Sequence, residues 1–328
     1  MFKIPIKDVI PGMILDQDIY GDSRMGIPIL CAGVEIKAAF LHMLKKRGVE
    51  FLYTSNPVSM GDDKSAFNSR NYALTGLNIP VEKSKSVITP KTKNDALQTM
   101  KDFQISLSGL DADDVHEVMN VLDNVLNRVL SDFPKNLTQA INVHQLRGDD
   151  NLSYVYRHAL SVAVISMAIG QYLSLPPDDV LYLGKCASLH DIGMFLIPTE
   201  IVQKKETLKR DELEKIKRHT QLGYRSLVEM GITDTHLLEC IMFHHEKIDG
   251  TGYPLGLKGE DIPLQGRIMA VIDVYDALVS ERPYKHAFTH EKATDIIKEE
   301  SGRHFDPRIV EAFVNAGGLI KEENARLS

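Results

Sequence analysis

CASLHDIG at positions 186–193 and CIMFHHE at positions 240–246 are apolar runs of helical character, each ending on adjacent ionisable side chains. His158 interrupts a third such run, YVYRHALSVAVI (154–165), and Asp273 a fourth, GRIMAVIDVYDAL (266–278). A buried imidazole or carboxylate without a partner is costly, so each of these groups needs one. Working outward, apolar periodicity predicts helices over 151–173, 178–190, 211–230, 234–245, 265–280, 290–300 and 307–315. They are separated by SLPP (174–177), GMFLIP (193–198) and GTGYPLGLKGEDIP (250–263). No strand-like alternation interrupts this half, which reads as an all-α domain.

The first part of the chain reads differently. Residues 1–58 are expected to form a small α+β domain, a candidate for a regulatory role, with strands at Met13–Tyr20, Ile27–Cys31 and Val49–Tyr53. A helix is expected over Glu35–Arg47, closed by Gly48. Residues 59–111 are rich in Gly, Asp, Ser, Asn and Lys and read as a linker, partly mobile. Residues 112–144 begin with a one-faced apolar helix (Val115, Val118, Met119, Leu122, Val125, Leu126, Val129), a connecting element or a dimer seam. The helical domain is expected over 145–320.

Composition limits the function. The chain has 328 residues, 43% of them hydrophobic and 25% charged, with a net charge of −7. These are the fractions of an ordinary soluble protein. The longest mostly apolar stretch, Ala159–Gly170, is shorter than the ~20 residues of a membrane span. The N-terminus lacks the pattern of a signal peptide. The acidic balance argues against a nucleic-acid polymer as partner. Three widely spaced cysteines, Cys31, Cys186 and Cys240, form no disulfide framework or CxxC pair, as expected of a cytoplasmic protein.

Nine of the 12 histidines lie at or beyond position 158. Any one alone reads as packing or solvated surface. Taken together, His158, His190, Asp191, His219, His244, His245 and Asp273 supply seven N/O ligands. That is too many for one tetrahedral zinc and suits two ions of higher coordination, bridged by an aspartate.

The HD…HH…D pattern resembles the HD superfamily of metal-dependent phosphohydrolases. HHEKIDGTGYPLGLKGEDIP (244–263) and RIMAVIDVYDALVSERPYK (267–285) resemble its HD-GYP branch. The resemblance implies a bacterial phosphodiesterase that opens a cyclic dinucleotide, cyclic di-GMP or cyclic GMP-AMP, to a linear product and further to mononucleotides. It implies two divalent transition-metal ions, iron or manganese, with zinc an alternative. His158, His190, Asp191 and Asp273 would hold one ion; Asp191, His219, His244 and His245 the other. A hydroxide bridging them would attack phosphorus, with Asp191 as the bridge and Asp276 beside the water. Arg282 and Lys285 would hold phosphates, and Gly252, Tyr253 and Pro254 would line the cleft or contact a signalling partner. A homodimer is compatible with this reading. Two positions depart from the family pattern: Met194 stands where a lysine is usual, and Tyr154 where three-metal members carry a glutamate. Met194 leaves a second function open, that of a catalytically weak receptor or interaction module.

Overall fold

The computed structural model describes residues 2–20, much of 28–54, a few positions between 94 and 101, 112–132, 151–204, 206–280 and 287–316. Most of the expected linker, residues 133–144, part of the Glu35–Arg47 helix and the ERPYK segment bearing Arg282 and Lys285 lie outside these residues.

The N-terminal part carries two small antiparallel pairs. β1 (Phe2–Pro5) pairs with β4 (Phe51–Thr54), Phe2 opposite Thr54, and β2 (Ile19–Tyr20) pairs with β3 (Pro28–Leu30). β1 is not among the expected strands, and the strand expected at Met13–Tyr20 is confined to its last two residues. The reason lies in the hydrogen bonding. Ile36 N donates to Met13 O at 2.7 Å and Gly12 N to Ile36 O at 2.9 Å, while Asp16 N donates to Tyr53 O at 2.7 Å, so this stretch is tied to two different segments rather than into one ladder. β4 starts two residues later than expected because Val49 N returns to Leu44 O, with Gly48 at φ +71°. Glycine adopts that left-handed conformation without a steric penalty and ends the helical turn.

The remaining elements are helices. α1 (Ala112–Asp132) buries Leu122, Val125, Leu126 and Val129, and packs on α3 (Pro177–Leu189). α2 (Asn151–Tyr172) is the central helix, buried on every side from Ala159 to Ile169, as an all-apolar helix requires. Its closest neighbour is α3, where Gly184 faces Met167: a Cβ there would fall 2.5 Å from the Met167 sulfur. A 3-10 turn (Ile192–Leu196) and short α4 (Thr199–Val202) follow.

The single helix expected over 211–230 is two. α5 (Arg210–Lys217) and α6 (His219–Glu229) are separated at Arg218, where the break releases backbone carbonyls, one of which a histidine side chain uses. α7 (Thr235–Phe243) is capped by Asp234, whose Oδ1 accepts from His236 N and Leu237 N and from the Tyr182 hydroxyl. α8 (Leu264–Val279), α9 (His290–Glu299, capped by Thr289) and α10 (307–316) complete the domain. The core is continuous: Phe40 of the N-terminal part packs on Phe243 at the end of α7, with ring centroids 5.7 Å apart. Among the described residues no helix is long and apolar enough to cross a membrane.

The start of α8 is tied to α10 by an ion pair. Arg267 Nη1 lies 2.6 Å from Asp306 Oδ2, both side chains largely buried, and Asp306 Oδ1 accepts from Arg308 N. Burial alone would raise the Asp306 carboxyl, but the hydrogen bonds from Arg308 and Arg267 hold it below the usual carboxylate value. Its stabilising effect is therefore complete above the ordinary carboxylate range and fades as pH falls through the depressed value. Asp306→Ala leaves Arg267 uncompensated and should cost about 3 to 5 kcal/mol at pH 7, measured by urea denaturation. The difference between the two proteins should shrink in acid.

Candidate metal centre

Five helix ends or faces deliver the seven side chains. His158 comes from α2, His190 and Asp191 follow α3, His219 opens α6, His244 and His245 follow α7, and Asp273 lies on α8. All but Asp191 and His245 are buried. The structure brings together all seven of the residues singled out in the sequence, in two groups. Asp191, His219, His244 and His245 form one; His158, His190 and Asp273 form the other. In each group the candidate ligand atoms lie within 4.8 Å of one another.

A repeated local device orients the rings. His190 Nδ1 donates to Ala187 O (2.7 Å), His219 Nδ1 to Ile216 O (2.8 Å) and His244 Nδ1 to Ile241 O (2.8 Å). In each case the acceptor is the carbonyl three residues back, one of those a helix end leaves without an intrahelical partner. The break at Arg218 is what exposes the Ile216 carbonyl to His219. His158 Nδ1 instead donates to Asp276 Oδ2 at 2.6 Å. A carbonyl or carboxylate oxygen can only accept, so the proton is on Nδ1 in all four rings. In the neutral form of each of these rings Nε2 then turns a lone pair toward the centre.

Asp191 stands between the groups. Its Oδ2 faces His190 Nε2 (3.6 Å) and His158 Nε2 (3.7 Å), and its Oδ1 faces His219 Nε2 (3.2 Å) and His244 Nε2 (3.8 Å). Asp273 reaches both sides as well, with Oδ1 3.1 Å from His158 Nε2 and Oδ2 3.9 Å from His245 Nδ1.

Two observations show that these residues fit cations. His190 Nε2 is buried and has no hydrogen-bond partner, a rare and costly condition for a ring nitrogen. His219 Nε2 and His244 Nε2 approach to 3.1 Å with both protons committed to Nδ1. With both rings neutral, two lone pairs meet there, and a cation between them removes their repulsion. The electrostatics divide the rings: burial would lower His219, but the hydrogen bond and the field of Asp191 raise it above the ordinary imidazole value, whereas two others are lowered. Burial, reinforced by His244 and His158, pushes His190 down to about 4. Burial, with His244 and His219, also holds His245 well below the ordinary imidazole value. Burial would raise the Asp191 and Asp273 carboxyls, but His190, His219 and His244 around the first, and His158 and His245 around the second, hold both below the usual range.

Asp276 is not beside the centre as expected from the sequence. It lies on the Nδ1 side of His158, away from Asp191 and Asp273, where it also accepts from Ser161 Oγ (2.5 Å) and Ser280 Oγ (3.3 Å). One turn after Asp273 on α8, it supports a ligand from behind. Arg282 and Lys285 lie outside the described residues. Met194 is half-buried in the 3-10 turn, its N–H donating to Asp191 O at 2.8 Å.

Gly252, Tyr253 and Pro254 do border the centre. The Tyr253 ring stacks on His245 with centroids 4.8 Å apart, and Tyr253 N donates to His245 O. Gly252 is required by close approach: a Cβ there would meet Lys247 N at 2.3 Å and the Glu246 Cα at 2.5 Å. The loop is held by Glu246, a residue that the sequence reading does not single out. Its buried carboxylate accepts from Leu255 N (2.6 Å), Gly256 N (3.0 Å) and Leu257 N (3.0 Å). A signal for it is present: a carboxylate directly after two histidines, at the mouth of a glycine-rich loop.

Residues 128–309 match the family model described as HD domain. The chain belongs to the HD domain family. A cyclic di-GMP phosphodiesterase of Pseudomonas aeruginosa is 39% identical over 180 residues, 53% of this chain and 43% of that protein. A cyclic di-GMP phosphodiesterase of Vibrio cholerae is 43% identical over 48% of this chain and 35% of its own length. A 3′3′-cGAMP-specific phosphodiesterase of the same organism is 32% identical over 67% of this chain and 48% of its own length. The matched region thus spans less than half of each of these relatives. A solved HDG"Y"P protein from Bdellovibrio bacteriovorus superposes with a TM-score of 0.53 over 95% of this chain and 97% of that one. At 16% identity that match speaks for the fold alone.

Two substitutions probe the scaffold of this HD domain. A Cβ on Gly193 would lie 1.9 Å from the His219 carbonyl oxygen and 2.6 Å from Gly223 N. Gly193→Ala must therefore force the Asp191 turn away from α6. A loss of about 2 to 3 kcal/mol in denaturation, together with reduced metal uptake, is expected. Asp276→Asn keeps the shape behind His158 but removes the charge. Metal affinity should fall about 10- to 100-fold, measured by competition with a chelator, with the fold intact by circular dichroism.

Proposed function

We propose that this chain is a cyclic-dinucleotide phosphodiesterase working with two divalent cations, iron or manganese by ligand type. The observation that carries the reading is Asp191, whose two carboxylate oxygens face two separate sets of imidazole nitrogens. Asp191, His219, His244 and His245 would hold one ion; His158, His190, Asp273 and Asp191 would hold the other. Mixed imidazole–carboxylate ligation suits iron, manganese or zinc. When bound, such a pair supplies Lewis-acid activation of water and neutralises charge on a phosphoryl group.

The protein residues do the rest. Asp191 and Asp273 keep their negative charge despite burial and set the spacing of the two sets. Asp276 fixes the His158 tautomer and raises its basicity. Tyr253 covers one flank of His245, and Glu246 keeps the 253–257 loop in register with it, which suits a stacked or edge-on nucleobase. We propose Gly252, Tyr253, Pro254, Arg282 and Lys285 as the substrate-facing set. Arg282 offers a bidentate fork and Lys285 a point charge for phosphate. The named activities of the relatives support this substrate class.

Purified protein loaded with manganese or iron should convert cyclic di-GMP, or 3′3′-cGAMP, to linear dinucleotide when the products are separated by chromatography. Asp191→Ala should lose both ions by elemental analysis and all turnover. Full metal content in that variant would overturn the ligand assignment. Tight binding of cyclic di-GMP with no turnover by any metal form would replace the enzyme reading with a receptor. At Met194, a lysine would add the cation that methionine lacks. Met194→Lys should raise kcat by about 10-fold or more at equal metal content, since one well-placed electrostatic contact is worth up to about 10²–10³.

A further inference from the structure

Lys217 is the last residue of α5, one residue before the break that turns the chain toward His219. Its Nζ sits over the Tyr253 ring, 5.7 Å from the centroid, within cation–π range. Tyr253 in turn stacks on His245. The ammonium is therefore separated from the proposed metal centre by one aromatic ring. The same Nζ pairs with Glu214 at 2.6 Å, and both side chains are partly exposed, at 35% and 45%. A partly exposed i,i+3 pair of this kind contributes little to stability, so its position over the loop is not explained by the fold. Glu214 takes one of the three ammonium donors, and the pair exchanges partners readily in water.

A cyclic dinucleotide carries two phosphates on opposite sides of one macrocycle. When one is at the metals, the other is displaced outward across the flank of the site. We propose that Lys217 contacts this second phosphate, and so favours a two-phosphate substrate over an ordinary phosphodiester. The proposal rests on the phosphodiesterase reading above and extends it to a residue outside the metal set. Lysine suits this role, because a compact charge on a flexible stem reaches an oxygen without fixed geometry. Its contribution should weaken as salt is added, because the site is open to solvent.

The test compares two substrates in manganese-loaded protein: cyclic di-GMP, with two phosphates, and bis(p-nitrophenyl) phosphate, with one. Lys217→Met keeps the stem and removes the charge. KM for cyclic di-GMP should rise about 5- to 20-fold, while kcat, metal content and both constants for the one-phosphate substrate stay as in the native protein. Lys217→Arg should restore KM to within about 2-fold. An unchanged KM for cyclic di-GMP in Lys217→Met would overturn the proposal. So would equal losses on both substrates, or a loss of metal, which would assign Lys217 to the support of His219. Native protein that cleaves the one-phosphate substrate but neither binds nor cleaves cyclic di-GMP or 3′3′-cGAMP would remove the parent reading, and this proposal with it.

Discussion

The centre depends on where four imidazole protons are held. His190, His219 and His244 each give the Nδ1 proton to a carbonyl three residues back, and His158 gives it to Asp276. That single constraint fixes ring orientation and tautomer at once. It also satisfies carbonyls that helix ends would otherwise leave open. Without it the five rings, packed with neighbouring centroids 4.3–5.2 Å apart, would have several arrangements of similar energy. With it, the lone pairs converge and the interior acquires a strong demand for positive charge.

The demand is met in a largely buried site, which explains the supporting architecture. Burial drives His190 and His245 toward the neutral form, while Asp191 raises His219 and the Asp191 and Asp273 carboxyls stay below the usual range. In a medium of low polarity these preferences are stronger than in water. The helices that carry the ligands must approach closely enough to exclude solvent, and glycine permits it. Gly193 lies against the backbone of His219, and Gly252 against the backbone of Glu246 and Lys247. The apolar core around α2 then holds the ends in place: Phe243, immediately before the histidine pair, is fully buried and packs on Phe40.

Much of this is legible in the sequence because the relevant signals are local. Apolar periodicity locates the C-terminal helices within one or two residues at most ends, since a helix buried on one or all sides must repeat its pattern. The ligand set is legible because polar groups on apolar helices have few reasons to be there. The break at Arg218 is not legible, since α5 and α6 share a compatible period and no Pro or Gly separates them. Asp276 is expected at the centre because it shares a helix face with Asp273. One turn of rise, however, carries it past His158 to the ring's other nitrogen. Glu246 escapes notice because its partners are backbone N–H groups, which leave no trace in residue identity.

The sequence by itself determined that a helical domain would carry seven ligand-type side chains at the ends and faces of apolar helices. It also determined that the N-terminal part would be of a different class. Periodicity and burial cost act along the chain and can be read along it. Which oxygen of Asp191 faces which ring, how Asp273 reaches both sets, and what stands behind His158 or over Tyr253 were decided only by the tertiary structure. Those relations join residues separated by up to 118 positions, and they depend on rotations and separations of packed helices to within an ångström or so. Helix packing fixes such distances through the shapes of many side chains together, and no single stretch of sequence encodes them.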